Sequence, residues 1–232
     1  MSLKSINRHL KTQFLGREIL HFKECDSTNR IAKELTNHGT LVIADRQTAG
    51  RGRLGRQWES NKGGIYMSVI LPAKNTPAVI TLVCAIAVRR ALGKGEIKWP
   101  NDIVIDGKKV CGILCERTEN SIVCGIGINI NNKVSKDIPA VSITGVNPSR
   151  LVAEVLNELE SLTECEFESL REEYESYCIN INRPVEAIFE NRSVKGIATG
   201  ITATGELKIN TPDGEITVNA GEVSVRGVYG YV

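Results

Sequence analysis

Residues 46–64 follow neither a helical nor a strand period, and this stretch narrows what the chain can fold into. It holds five glycines and is bordered by two apolar runs, residues 40–44 and 65–71, that read as strands. Its centre is Gln47-Thr48-Ala49-Gly50-Arg51-Gly52-Arg53-Leu54-Gly55-Arg56-Gln57-Trp58, which contains a literal Gly-x-Gly-x-x-Gly. A doubly wound dinucleotide fold still fits poorly. That loop must open directly into a helix whose N-terminus holds pyrophosphate, with an acidic residue about 20 positions on. Here Glu59-Ser60-Asn61-Lys62-Gly63-Gly64 follows, a weak helix start, and no acidic residue lies between Glu59 and Glu96. The chain also lacks the Gly-Lys-Ser/Thr ending of a P-loop. Long loops in compact domains are usually functional or disordered. Glycine lets the backbone approach a ligand closely, and the planar fork of arginine suits phosphate or carboxylate. Trp58 offers a stacking surface. A flexible basic loop or a nucleic-acid contact is the plain alternative. The regular Gly–Arg alternation favours a clamp for a nucleotide or an anionic intermediate.

Around this loop the pattern is mixed. Residues 18–23 read as a strand. Asp26-Ser27 caps a helix whose face carries Ile31, Ala32 and Leu35, with Gly39 as its C-cap. Pro77 fits the first turn of an almost wholly apolar helix that ends at Gly93. Three strands follow: residues 96–105, 110–116 and 121–130, with turns at Asp106-Gly107 and Glu119-Asn120. Residues 131–147 are irregular, and residues 148–162 and 167–178 read as helices, the second with a solvated acidic face. The character changes at Asn182-Arg183-Pro184. Beyond it, five short alternating strands suggest a small barrel appended to the larger unit. The expected domains are residues 1–181 and 182–232.

Composition closes several classes. Apolar residues make up 41% and charged residues 24%, which is ordinary globular usage. Twenty-nine basic against 27 acidic residues give a net charge of +2, too balanced for bulk binding to nucleic acid or membrane. The longest uncharged run, residues 75–88, is shorter than the about 20 residues a membrane-spanning helix needs. No apolar secretion segment follows Met1, so a cytoplasmic location is expected. The seven cysteines include no Cys-x-x-Cys, and the three histidines are scattered. Reduced buried thiols are expected, and a protein-held metal is not.

Two further groups of residues stand out. Lys98-Trp99-Pro100-Asn101-Asp102 places polar residues at the end of an apolar strand, a candidate site lip. Lys109 opens the next strand, where Gly112 permits close backbone approach. Taken alone, Lys108-Lys109 is only a hairpin turn. Gly125-Ile126-Gly127-Ile128-Asn129 is weaker, and tight strand–helix packing explains it equally well.

In chain order these segments closely resemble the biotin protein ligases. The matches are Asp26-Ser27-Thr28-Asn29, the loop from Gln47 to Trp58, Lys98-Trp99-Pro100-Asn101-Asp102, Lys109-x-x-Gly112-Ile113-Leu114-x-Glu116 and Gly125-x-Gly127-x-Asn129. Asn182-Arg183-Pro184-Val185 and Gly221-Glu222-Val223-Ser224-Val225-Arg226 match the small C-terminal domain. The resemblance runs from about Arg17 to nearly the end. It implies an α+β fold, a mixed sheet flanked by helices of class II synthetase type, with an SH3-like C-terminal barrel. Members that also act as repressors carry an N-terminal DNA-binding domain. Too few residues precede Arg17 for the about 50 a domain needs, so the monofunctional type is expected, with no DNA partner.

The resemblance further implies a ligase that converts biotin and MgATP to biotinyl-5′-AMP and pyrophosphate. It then transfers biotin to a lysine of a biotin carboxyl carrier protein. Ser27, Thr28, Asn29, Gln47, Gly50, Arg51, Gly52, Arg53, Lys109 and Gly112 would line the biotin site, although a helix cap explains Ser27 equally well. Arg51, Arg53, Arg56, Trp58, Lys98, Asn101, Asp102, Lys109 and Asn129 would contact ATP. Arg53 and Lys109 would be catalytic, and Mg²⁺ would arrive with the triphosphate. The C-terminal domain would serve ATP or carrier docking rather than biotin recognition. A homodimer through an exposed strand edge is compatible with this. Transfer of lipoate or octanoate, a DNA-binding regulator and an RNA-binding module are the rival functions.

Overall fold

Apolar strands too hydrophobic to face water on either side dictate a sheet covered on both faces. The computed structural model describes residues 1–134 and 139–219, and the backbone of residues 224–227. Seven strands form the main sheet: β1 (Ile19–Phe22), β2 (Leu41–Ala44), β3 (Ile65–Pro72), β4 (Glu96–Lys98), β5 (Asp102–Ile105), β6 (Lys108–Arg117) and β7 (Ser121–Ile128). Their order is β1-β2-β3-β7-β6-β5-β4. Only β1 and β2 run parallel, and the other pairings are antiparallel.

One face is packed by helix α3 (Pro77–Leu92), on which α4 (Pro148–Thr163) and α5 (Phe167–Tyr177) lie. Helix α3 is buried from Val79 to Val88 because it is sandwiched between sheet and helices, which explains its lack of a polar stripe. Thr76 caps its start and left-handed Gly93 (φ 67°) ends it. Helix α1 (Leu3–His9), which the sequence reading did not anticipate, packs on α4 and buries Ile6 completely. On the opposite face α2 (Thr28–Lys33) covers a smaller core of Ala32, Val42, Ile70 and Val123. The rest of that face is left for the site.

Two local expectations are corrected. Residues 96–105 are not one strand. Pro100 has no N–H to give a ladder, so the chain turns and pairs Lys98 with Asp102. Gly39 does not cap α2, which ends at Lys33. Its φ of +85° instead serves the turn into β2, where its N–H bonds Ile70 O at 2.7 Å.

The C-terminal unit is a five-stranded antiparallel sheet of β8 (Pro184–Ile188), β9 (Ser193–Ile201), β10 (Leu207–Thr211), β11 (Gly214–Val218) and β12 (Ser224–Gly227). The order β11-β10-β9-β8-β12 leaves β11 and β12 unpaired with each other among the described residues, so the SH3-like sheet is open rather than a closed barrel. It docks on the main unit through Trp99 Nε1, which donates to Gly205 O at 3.1 Å, and Ile201 N, which donates to Glu175 Oε1 at 2.7 Å. Of the C-terminal resemblance segment, residues 221–223 lie outside the described residues, as do the side chains of residues 224–226. Among the described residues no helix is long and apolar enough to cross a membrane.

Candidate active site

Three glycines hollow out the free face of the sheet. Register aligns Tyr66, Gly127, Gly112 and Asp102 in one row across four strands, and Ser68, Gly125 and Leu114 in the next. A Cβ on Gly127 would lie 2.5 Å from Trp58 Nε1, and one on Gly112 would lie 2.8 Å from Trp58 Cζ3. A Cβ on Gly125 would collide with Asn29 Oδ1. The glycines therefore form a trough that admits an indole from above and an amide from α2.

At one end the polar groups are buried and interlocked. Ser27 caps α2, its side chain accepting from Arg30 N. Thr28 donates to Gln47 Oε1 through its backbone N–H (2.8 Å) and hydroxyl (3.1 Å), and Gln47 Nε2 donates to Ser60 Oγ at 2.8 Å. Ser68 Oγ lies 2.6 Å from Asn29 Oδ1 and 2.8 Å from Thr28 Oγ1. Asn29 Nδ2 donates to Leu114 O at 3.2 Å and Glu116 Oε2 at 2.9 Å. Burial works against ionisation of Glu116, but hydrogen bonds from Lys33 and Asn29 outweigh it and hold the carboxyl below its ordinary value. Such an interlocked network fixes the rotamers of the groups that line this end.

Cations gather at the other end. Arg53 donates to Asn101 Oδ1 at 2.9 Å, and Asn101 is anchored in turn by Nδ2 to Ile113 O at 2.9 Å. Lys109 Nζ sits 2.6 Å from Asp102 Oδ1 and 5.2 Å from the Trp58 ring centroid. Burial pushes Arg53 down from its ordinary value while the Asp102 carboxylate opposes the shift.

The Gly–Arg stretch roofs the trough. It is a closed hairpin rather than an open excursion: Gly52 N bonds Arg56 O at 2.7 Å, Trp58 N bonds Gly50 O at 2.9 Å, and Arg51 bridges Gln57. Its tip is a 3₁₀ turn, Arg53–Gly55, with Leu54 and Gly55 left-handed at φ 54° and 71°. Trp58 Nε1 is a buried donor with no hydrogen-bond partner among the described residues.

The enclosed cavity measures about 830 Å³ with its mouth. Of the expected residues, Ser27, Thr28, Asn29, Gln47, Arg51, Gly52, Arg53, Arg56, Trp58, Asn101, Asp102, Lys109 and Gly112 line it. Three do not. Gly50 lies under the loop, where a Cβ would come within 2.5 Å of Trp58 O. Lys98 is buried beside Asp102 in the β4–β5 hairpin. Asn129 is buried at the end of β7, accepting from Asn132 Nδ2 at 3.0 Å. Tyr66 on the wall and Ser68 beneath Thr28 and Asn29 were missed; a lone serine inside the apolar run of β3 was the available signal. A second cavity, about 1020 Å³, lies across the same loop and includes Thr81, Pro100, Glu116 and, from the C-terminal unit, Asn219.

Residues 22–132 match the Biotin/lipoate A/B protein ligase family, and residues 181–226 match the biotin protein ligase C terminal domain. The bifunctional ligase/repressor BirA of Bacillus spizizenii is 34% identical over 97% of this chain and 79% of its own length. The biotin–[acetyl-CoA-carboxylase] ligase of Mycobacterium tuberculosis is 28% identical over 93% of this chain and 94% of its own. The solved structure of the biotin protein ligase from Aquifex aeolicus in complex with biotin and ATP aligns with a TM-score of 0.82 and 31% identity, covering 91% of this chain and 99% of that one. With likeness of that depth running through both sheets, the chain belongs to the biotin protein ligase family, enzymes that ligate biotin.

Proposed function

We propose that this enzyme activates biotin with ATP as biotinyl-5′-AMP and transfers it to one lysine ε-amine on a biotin carboxyl carrier domain. The observation that carries this reading is a rigid hydrogen-bonding end and a cationic end joined by one glycine trough. The Thr28–Gln47–Ser60 chain and Asn29 suit the donors and acceptors of an uncharged ureido ring. The trough accommodates the bicycle and its tail. The carboxylate then reaches Arg53 and Lys109. Because the Trp58 indole rests on Gly112 and Gly127, ligand entry requires the loop to lift, and reclosure gives Trp58 Nε1 an acceptor.

In the first step a biotin carboxylate oxygen attacks the α-phosphorus, and the bond to the bridging oxygen breaks to release pyrophosphate. Like charges meet here, so preorganised cations supply most of the acceleration. Arg53 and Lys109 stabilise charge on the phosphate oxygens, and Arg51 and Arg56 hold the polyphosphate. The carboxylate is already ionised, so no base is needed. Among the described residues the cavity wall carries four cations and one carboxylate, Asp102, a donor set too poor in oxygen to build a cage. It fits Mg²⁺ held mainly by triphosphate oxygens with Asp102 as its protein contact, where the ion would shield phosphate charge. In the second step a lysine amine attacks the anhydride carbonyl carbon, the bond to AMP breaks, and an amide forms. Lysine arrives protonated at neutral pH. Asp102, the carboxylate on the cavity wall, is the group placed to take that proton.

The test is pyrophosphate exchange into ATP with biotin, lipoate and octanoate offered separately, followed by mass mapping of a carrier domain. Exchange supported by biotin and a biotinyl group on one lysine are expected. Exchange with lipoate or octanoate instead would overturn the proposal.

A further inference from the structure

Three cysteines that the ligase chemistry does not use converge behind the site. Cys84 comes from α3, Cys115 from β6 and Cys124 from β7, and Cys115 and Cys124 are direct register partners. All seven cysteines are free thiols, and the Sγ atoms of these three lie within 4.8 Å of one another. In the sequence they show no metal-ligand spacing, because three separate elements deliver them.

We propose that Cys84, Cys115 and Cys124 form a binding site for a soft, thiophilic d10 metal cation. Metal–sulfur bonds of about 2.3 Å put the sulfurs of a trigonal site roughly 4 Å apart. The observed spread needs only a small contraction, which side-chain torsions supply. Sulfur donors select soft cations over Mg²⁺ or Ca²⁺, which require oxygen. A divalent ion held by two thiolates and one thiol is electrically neutral, the form that an apolar interior tolerates best. Cys84 and Cys124 are fully buried, whereas half-buried Cys115 lines the second cavity, which gives an entry path. Binding displaces the thiol protons to solvent. The buried Cys111 and Cys178 stand outside the trio and serve as controls.

The site is tested by titrating the full chain, kept reduced with a phosphine, with Cd²⁺ alone. Isolated thiols hold Cd²⁺ weakly, so tight uptake requires converging ones. One cation per chain in native mass spectrometry and a thiolate-to-cadmium absorption band are expected. Cys124→Ala should lose the band and bind at least roughly tenfold more weakly, while Cys111→Ala, equally buried on β6, keeps both. No band at one equivalent, or a band unchanged by Cys124→Ala, would overturn the proposal. Should Cys124→Ala fail to fold, the cadmium-113 resonance of the unaltered chain decides. A strongly deshielded, thiolate-rich shift upholds the site, and a shift in the oxygen-ligand range refutes it.

Discussion

With the hairpin closed, Asn101 holds Arg53 and Asp102 holds Lys109, so their charges are in place when the reaction begins. Lys109→Ala and Arg53→Ala should each fold normally and lose about 10²–10³ in the rate of biotinyl-5′-AMP formation. Single-turnover adenylation near the unaltered rate would remove the residue concerned from the mechanism. Glu116 adds a pH dependence. Its folded pKa lies below its unfolded value, so its stabilising contribution is present above the ordinary carboxylate range and disappears as pH falls through the folded pKa. The Lys33–Glu116–Asn29 anchor is therefore lost on the acid side. The stability gap between the unaltered chain and Glu116→Gln should be widest near neutrality and narrow on acidification, as denaturant melts across that range would record.

Among the elements, the Gly–Arg hairpin carries the strongest expectation. Its tip residue Leu54 is 57% exposed, and the Trp58 indole and the Arg53–Asn101 hydrogen bond anchor it to the floor. Five glycines raise the entropy of any opened form. Opening should therefore be frequent without ligand, and biotin plus ATP should suppress it by adding contacts that exist only in the closed form. Trypsin should cut at Arg51, Arg53 and Arg56 quickly in the free protein and slowly in the presence of both substrates. Equal cleavage rates would show that the hairpin is not a gate. Closure would also shelter the mixed anhydride from water until the carrier lysine arrives.

Across the whole molecule, the two sheets are tied by buried contacts. Trp99 is 2% exposed, its indole N–H reaches Gly205 O, and its backbone N–H bonds Asn180 Oδ1 at 2.8 Å. Trp99→Phe leaves the Gly205 carbonyl without its donor and should cost roughly 1–3 kcal/mol. If both units unfold together, calorimetry will show one transition moved downward. Two separated transitions would mean that the C-terminal sheet melts on its own. The C-terminal unit contributes Asn219 to the second cavity and no described residue to the first.

Local chemistry made much of this legible in the chain itself. Ser27, Pro77 and Gly93 mark helix ends by mechanisms that act within a few residues. Alternating short strands after Asn182 announced a second sheet, and the weak helix start after Trp58, with no acidic residue between Glu59 and Glu96, argued against a dinucleotide loop. Relations between distant segments stayed hidden. Only strand register brings Gly112, Gly125 and Gly127 onto one face, so the glycines that looked like packing turned out to be a trough. Asn129 and Lys98, polar and close in sequence to the site, are buried and do not line the cavity. Cys84, Cys115 and Cys124 meet although the chain between them shows no ligand spacing. Propensity and capping are short-range and can be read along a chain. Convergence of side chains depends on register and helix–sheet packing, which are settled only when the whole core is buried at once.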